Sequence, residues 1–174
     1  MSTAAAPPDT TDWAGPPLKW LPTDVRLPRS IARSVLIGWL CTFPVSIALA
    51  ALVQMLLPGA KAPEFHGGGW LAFAAIVILS PVVETLIMGG VLLLLLRFLP
   101  PVWAVLVSAL AWGAVHSTAA PIWGLIIWWP FLIFSTLFVS WRQRSLVLAF
   151  AVPMLAHAAQ NLPPAVLIAA GIDI

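Results

Sequence analysis

The sequence predicts an all-α protein, a polytopic transmembrane helix bundle of about five spans with its N-terminus on the cytoplasmic side. Two compositional facts point there first. Of the 174 residues, 61% are hydrophobic and 8% charged, and the mean hydropathy is +1.03, outside the range of soluble globular chains. About five apolar runs reach the roughly 18 residues needed to cross a hydrocarbon core about 30 Å thick. The third observation is where the basic side chains fall. Lys19, Arg26, Arg29 and Arg33 precede the first run, Arg97 follows the second, and Arg142 and Arg144 follow the fourth. That sorting is the positive-inside pattern, and it puts the C-terminus on the face opposite the N-terminus.

Residues 1–28 open with MSTAAAPPDTTDWAGPPLKWLP, a Pro-, Ala- and Thr-rich stretch without periodicity. It reads as a disordered or surface-lying tail, and it lacks the charged start and short apolar core of a cleavable signal peptide. Residues 29–174 form a single transmembrane domain, with spans expected at 31–57, 70–96, 101–118, 121–140 and 145–171. The single cysteine, Cys41, lies in the first run and reads as a small buried residue with no disulfide partner. Trp20, Trp70, Trp103 and Trp141 sit near span ends and read as interfacial anchors. Trp128 and Trp129 lie inside a span and need a partner for the indole N–H. Lys61, Glu64 and His66 gather between the first two spans.

Within ILSPVVETLIMGGVLLLLL (77–95), Glu84 is out of place. An ionised acid at the bilayer centre costs about 2.5–3.5 kcal/mol or more, so it calls for a protein partner. The polar residues at matching depth are His116, in SALAWGAVHS, and His157 with Asn161, in PMLAHAAQNL. Counting inward from the basic end of each span at about 1.5 Å per residue brings Glu84, His116 and His157 to one level. His157 and Asn161 share a helix face at a spacing of four, as do Trp112 and His116. Ala109 and Gly113 offer a small surface for close helix approach. Pro153, one turn before His157, removes a backbone donor and is expected to kink its helix. The four polar residues suit peptide-bond hydrolysis without a covalent nucleophile. A carboxylate and an imidazole activate water, and a second imidazole and an amide face the oxyanion.

The pattern Pro-x-x-Glu on one span, aromatic-x-x-x-His on the next and His-x-x-x-Asn on a late span resembles the CAAX-processing and bacteriocin-protection family, also called CPBP or Abi. This family of intramembrane proteases includes the CAAX prenyl endopeptidases. The resemblance covers about residues 70–165. It implies that Glu84 activates water with His116 assisting, and that His157 and Asn161 stabilise the oxyanion. The family's first motif, Glu-Glu-x-x-x-Arg, is altered here: Thr85 replaces the second acid and Gly89 the arginine. Joint loss of an acid and a base keeps the local charge balanced.

The reading is therefore an intramembrane endopeptidase acting on hydrophobic, prenylated or membrane-associated peptides. The alternative is a non-catalytic relative serving as a scaffold or a bacteriocin-immunity factor. A proton pathway is disfavoured because no second intramembrane acid or inverted repeat is present. No cofactor is favoured. A zinc-dependent enzyme would use Glu84, His116 and His157 as ligands, but the family has been described both as metalloprotease and as metal-independent, and Asn161 beside His157 suits a donor pair better. Expected partners are the lipid bilayer and a hydrophobic peptide or membrane-protein substrate. Nucleic acid is excluded because the basic residues follow the membrane boundaries. The expected location is a bacterial cytoplasmic (inner) membrane.

Overall fold

Apolar residues in long runs, unrelieved by charge, leave the backbone one way to satisfy itself in lipid, which is to close its hydrogen bonds within each helix. The structure, a computed structural model, describes residues 10–59 and 69–172 and contains no strand among them. Its helices are α1 (Thr23–Arg26), α2 (Ile31–Leu56), α3 (Gly69–Ala74), α4 (Ser80–Leu95), α5 (Pro101–Ser117), α6 (Gly124–Arg142) and α7 (Leu146–Ala169). A π turn, Ala75–Leu79, joins α3 to α4 without interruption. Four spans are long enough to cross a membrane: α2, the rod Gly69–Leu95, α6 and α7. The 17-residue α5 is the shorter fifth, at the lower limit for crossing. The expected bundle of about five spans is therefore present. Lys61, Glu64 and His66 lie outside the described residues, as do residues 1–9 of the expected tail.

The bundle is organised around α6, of which 72% of the apolar window is buried against 17–28% for the other three long spans. It packs against α5, α7 and α2. A helix surrounded by helices can carry small polar residues, because each finds a protein partner. Ser135 donates to Ser108 Oγ, Thr136 to the Leu132 carbonyl and Ser140 to the Arg26 carbonyl. The closest approach is between α5 and α6. A Cβ on Gly124 would overlap the Gly113 carbonyl oxygen and Ser117 Oγ, so glycine is required for the backbones to meet. Gly113 and Ala109 are buried there, as their spacing predicts.

Residues 10–28 lie as a strap over the basic end of the bundle. Leu18, Leu21 and Val25 are buried, Trp13 Nε1 donates to Ser140 Oγ at 3.1 Å, and the Thr11 amide donates to Gln143 Oε1 at 3.0 Å. Arg26 pairs with Asp12, and Arg33 with Asp24. The Arg26 guanidinium holds the Asp12 carboxyl below the usual carboxylate range. Composition hides this docking because its apolar residues are few and separated by prolines. Trp20, Trp70 and Trp103 are exposed as anchors should be, whereas Trp141 is buried, 1% exposed. Trp129 inside its span donates to the Cys41 carbonyl at 2.8 Å, and Cys41 itself is half-buried.

Candidate active site

Each of the four polar residues is delivered by a different local cause. Glu84 stands one turn into α4, immediately after the π turn and Pro81. His116 is in the last turn of α5, where its Nδ1 lies 2.9 Å from the Trp112 carbonyl one turn back. A carbonyl only accepts, so Nδ1 carries the proton and Nε2 is left to face outward. His157 and Asn161 lie on one side of α7, which continues as helix through Pro153, Pro163 and Pro164 to Ala169. Asn161 is thus an interior helical residue despite the Leu-Pro-Pro that comes after it.

The four residues line one cavity of about 850 Å³ walled by α2, the π turn, α4, the end of α5, α6 and α7. His116 Nε2 stands 3.8 Å from Glu84 Oε2, a separation too long for a direct hydrogen bond. Ser80, one turn before the acid, donates to Glu84 Oε1. Phe131 lies between the histidines, its ring centroid 5.6 Å from that of His116 and 5.5 Å from that of His157. Trp112 stacks on Phe131 and Trp123 sets its ring edgewise to His116 at 5.2 Å. His157 is 4% exposed and stacks on Phe134, with no hydrogen-bond partner for Nδ1 among the described residues. Asn161 Nδ2 donates to the Ile76 carbonyl in the π turn at 3.0 Å.

The structure brings Glu84, His116, His157 and Asn161 to one cavity. Sequence reasoning missed Ser80, Phe131 and the polar pair Ser46 and Gln160, which also lines the cavity and is joined by a 3.3 Å hydrogen bond. The i−4 spacing of Ser80 from Glu84 was the available signal; Phe131 had none. Among the described residues no three His, Cys, Asp or Glu side chains are grouped to hold a metal ion. Glu84, His116 and His157, the three that a zinc enzyme would use, line one cavity but do not make up such a group.

The altered first motif has a structural counterpart. Thr85 is buried, its hydroxyl without a partner among the described residues. Gly89, one turn on, faces Phe138 and Phe150, whose rings fill the space where a side chain would begin.

A bundle of apolar helices with an acid and two imidazoles gathered in an intramembrane cavity defines an integral membrane protein with a buried polar centre. The family model described as Type II CAAX prenyl endopeptidase Rce1-like matches residues 66–163, more than half of the chain. The chain belongs to that family, the one its Glu84, His116, His157 and Asn161 motifs resemble. Comparisons with curated proteins and with solved structures return no match.

Proposed function

We propose that the protein is an intramembrane endopeptidase that hydrolyses hydrophobic or prenylated, membrane-associated peptides with water activated by Glu84 and His116. The observation that carries this reading is the 3.8 Å gap between His116 Nε2 and Glu84 Oε2. With Nδ1–H donating to the Trp112 carbonyl, Nε2 and the Glu84 carboxylate both face the gap and both accept from a water placed in it. A water molecule bridging them donates one hydrogen to each and keeps its own lone pairs for attack. Glu84 takes the proton as the water oxygen bonds to the scissile carbonyl carbon. The C–N bond then breaks, and that proton passes to the leaving amine, so the products are one carboxyl and one amino group. General-base assistance of this kind contributes about 10²–10⁴-fold.

His157, which lines the cavity, supplies the donor for the oxyanion, the Asn161 amide being engaged by the Ile76 carbonyl. A donor in that position is worth about 2.7–4 kcal/mol. The largely apolar walls, with Ile47 and Leu167 reaching the outer faces of α2 and α7, favour an apolar chain as substrate. The steps need no metal. The basic residues gathered at the strapped end support that end lying on the cytoplasmic side of the membrane.

The test is cleavage of a library of hydrophobic and prenylated peptides by the purified protein in detergent. Wild type should cleave, Glu84→Gln and His116→Ala should each lose at least about 100-fold, and a chelator should change nothing. Loss of activity with chelator would replace the metal-independent step with a zinc one. No cleavage by any folded form would sink the protease reading in favour of a non-catalytic scaffold or immunity factor.

A further inference from the structure

The π turn that leads into Glu84 leaves the Ile76 carbonyl short of a helical donor, and the group that supplies one lies on another helix. The Ser80 amide donates to the Ala75 carbonyl, a step of five residues. That leaves the Ile76 carbonyl without either of its helical donors. Its α-helical partner would be Ser80, already used, and its π-helical partner would be Pro81, which has no N–H. A buried carbonyl left unpaired costs about 1–3 kcal/mol, and a chain in this position would revert to the α register by returning the Ser80 amide to Ile76. Asn161 removes the incentive, because its Nδ2 reaches across from α7 to the Ile76 carbonyl at 3.0 Å.

Register matters because one extra residue in a turn rotates the remainder of the helix by about 100°. The first residue after the π turn is Ser80, and its hydroxyl holds Glu84 Oε1. From these contacts we infer that Asn161 is a positioning residue. By donating to Ile76 it holds the Ala75–Leu79 turn in the π register, and so fixes Ser80 and, through it, the Glu84 carboxylate opposite His116. This assigns the Asn161 amide a task apart from the oxyanion, and assigns Ser80 a role in the site. The inference rests on Glu84 being the proposed base. The other groups facing Glu84 do not duplicate the restraint. His116 on α5 and His157 on α7 are the titratable residues lining the cavity with it, and α2 and α6 contribute neutral side chains there.

Two measurements on the full chain test it. The first is hydrogen–deuterium exchange in lipid nanodiscs. Asn161→Ala should accelerate exchange about 10- to 100-fold within residues 75–84, matching loss of a hydrogen bond of about 1–3 kcal/mol, with residues 146–157 unchanged. Unchanged exchange in 75–84, or equal acceleration in both segments, overturns the inference whether or not the protein cleaves anything. The second is kinetic. Asn161→Ala and Ser80→Ala should each lower kcat about 100-fold with KM within about twofold, as expected for a misplaced catalytic group. The double variant should be no worse than either single one, Ser80→Thr should restore the rate, and Asn161→Ala should cost nothing further in a Glu84→Gln background. A persisting Asn161→Ala penalty there would make Asn161 a direct oxyanion donor and end the positioning role. If wild type cleaves no peptide but the localised exchange effect is present, the protease reading falls and the role of Asn161 in holding the turn stands.

Discussion

Replacing Gly89 by alanine should destabilise the protein, while the same change at its neighbour Gly90 should stabilise it. In an open helix interior alanine is better than glycine by about 0.5–1 kcal/mol, because glycine loses more backbone freedom on folding. At Gly90 a new Cβ would meet nothing within 4 Å, so the full gain is expected. At Gly89 it would overlap Phe150 Cε1 and lie 2.7 Å from Phe138 Cε2 and 2.8 Å from Phe150 Cζ. Phe138 is completely buried and has nowhere to go; Phe150 is half-buried and must swing. Overpacking of this kind costs about 1–3 kcal/mol, enough to reverse the propensity gain. For a chain of this size a loss of that order lowers the unfolding midpoint by about 2–4 °C per kcal/mol. The assay is thermal unfolding in detergent followed by tryptophan circular dichroism, with Phe150→Leu as the second arm. The penalty at Gly89 should shrink in the Phe150→Leu background, a coupling in the range of about 0.5–3 kcal/mol. Equal midpoints for Gly89→Ala and Gly90→Ala would refute the packing argument.

Two more outcomes are expected from contacts elsewhere. Gly124→Ala should be more damaging than Gly89→Ala, because the added Cβ would strike the Gly113 carbonyl rather than a movable ring. Separation of α5 from α6 should cost about 3 kcal/mol or more and abolish cleavage by displacing His116, measurable as a lower midpoint together with lost activity. The strap should loosen in acid. Asp12 is held below its usual value by Arg26, so its contribution to docking is complete above the unfolded value and is lost as pH falls through the lower folded one. Limited proteolysis within residues 10–28 should therefore accelerate below about pH 4 in wild type. Asp12→Asn should be cleaved readily at neutral pH with little further change, and a wild-type acid response retained by that variant would remove the ion pair as its cause.

Much of the fold was legible because lipid leaves a chain few options. Long apolar runs must be helices, their lengths must match the bilayer, and charges must collect at the ends, so all five spans and their boundaries could be read from residues 31 to 171. The candidate site was partly legible for the same reason: Glu84, His116, His157 and Asn161 stand out only because everything around them is apolar. Their common depth comes from a rise per residue that every helix shares. Periodicity says nothing about which faces meet, and tertiary structure decided the rest. It made α6 the central helix, buried Trp141, docked residues 10–28 on the basic end and placed Phe131 between the histidines. It also set His116 3.8 Å from Glu84 and filled the space beside Gly89 with Phe138 and Phe150. The Asn161 bond to Ile76 is the clearest case. The i−4 rule for Pro81 points to Val77; it is the π turn that makes Ile76 the carbonyl in need, and the donor that answers it comes from a helix 85 residues away, brought there only by packing.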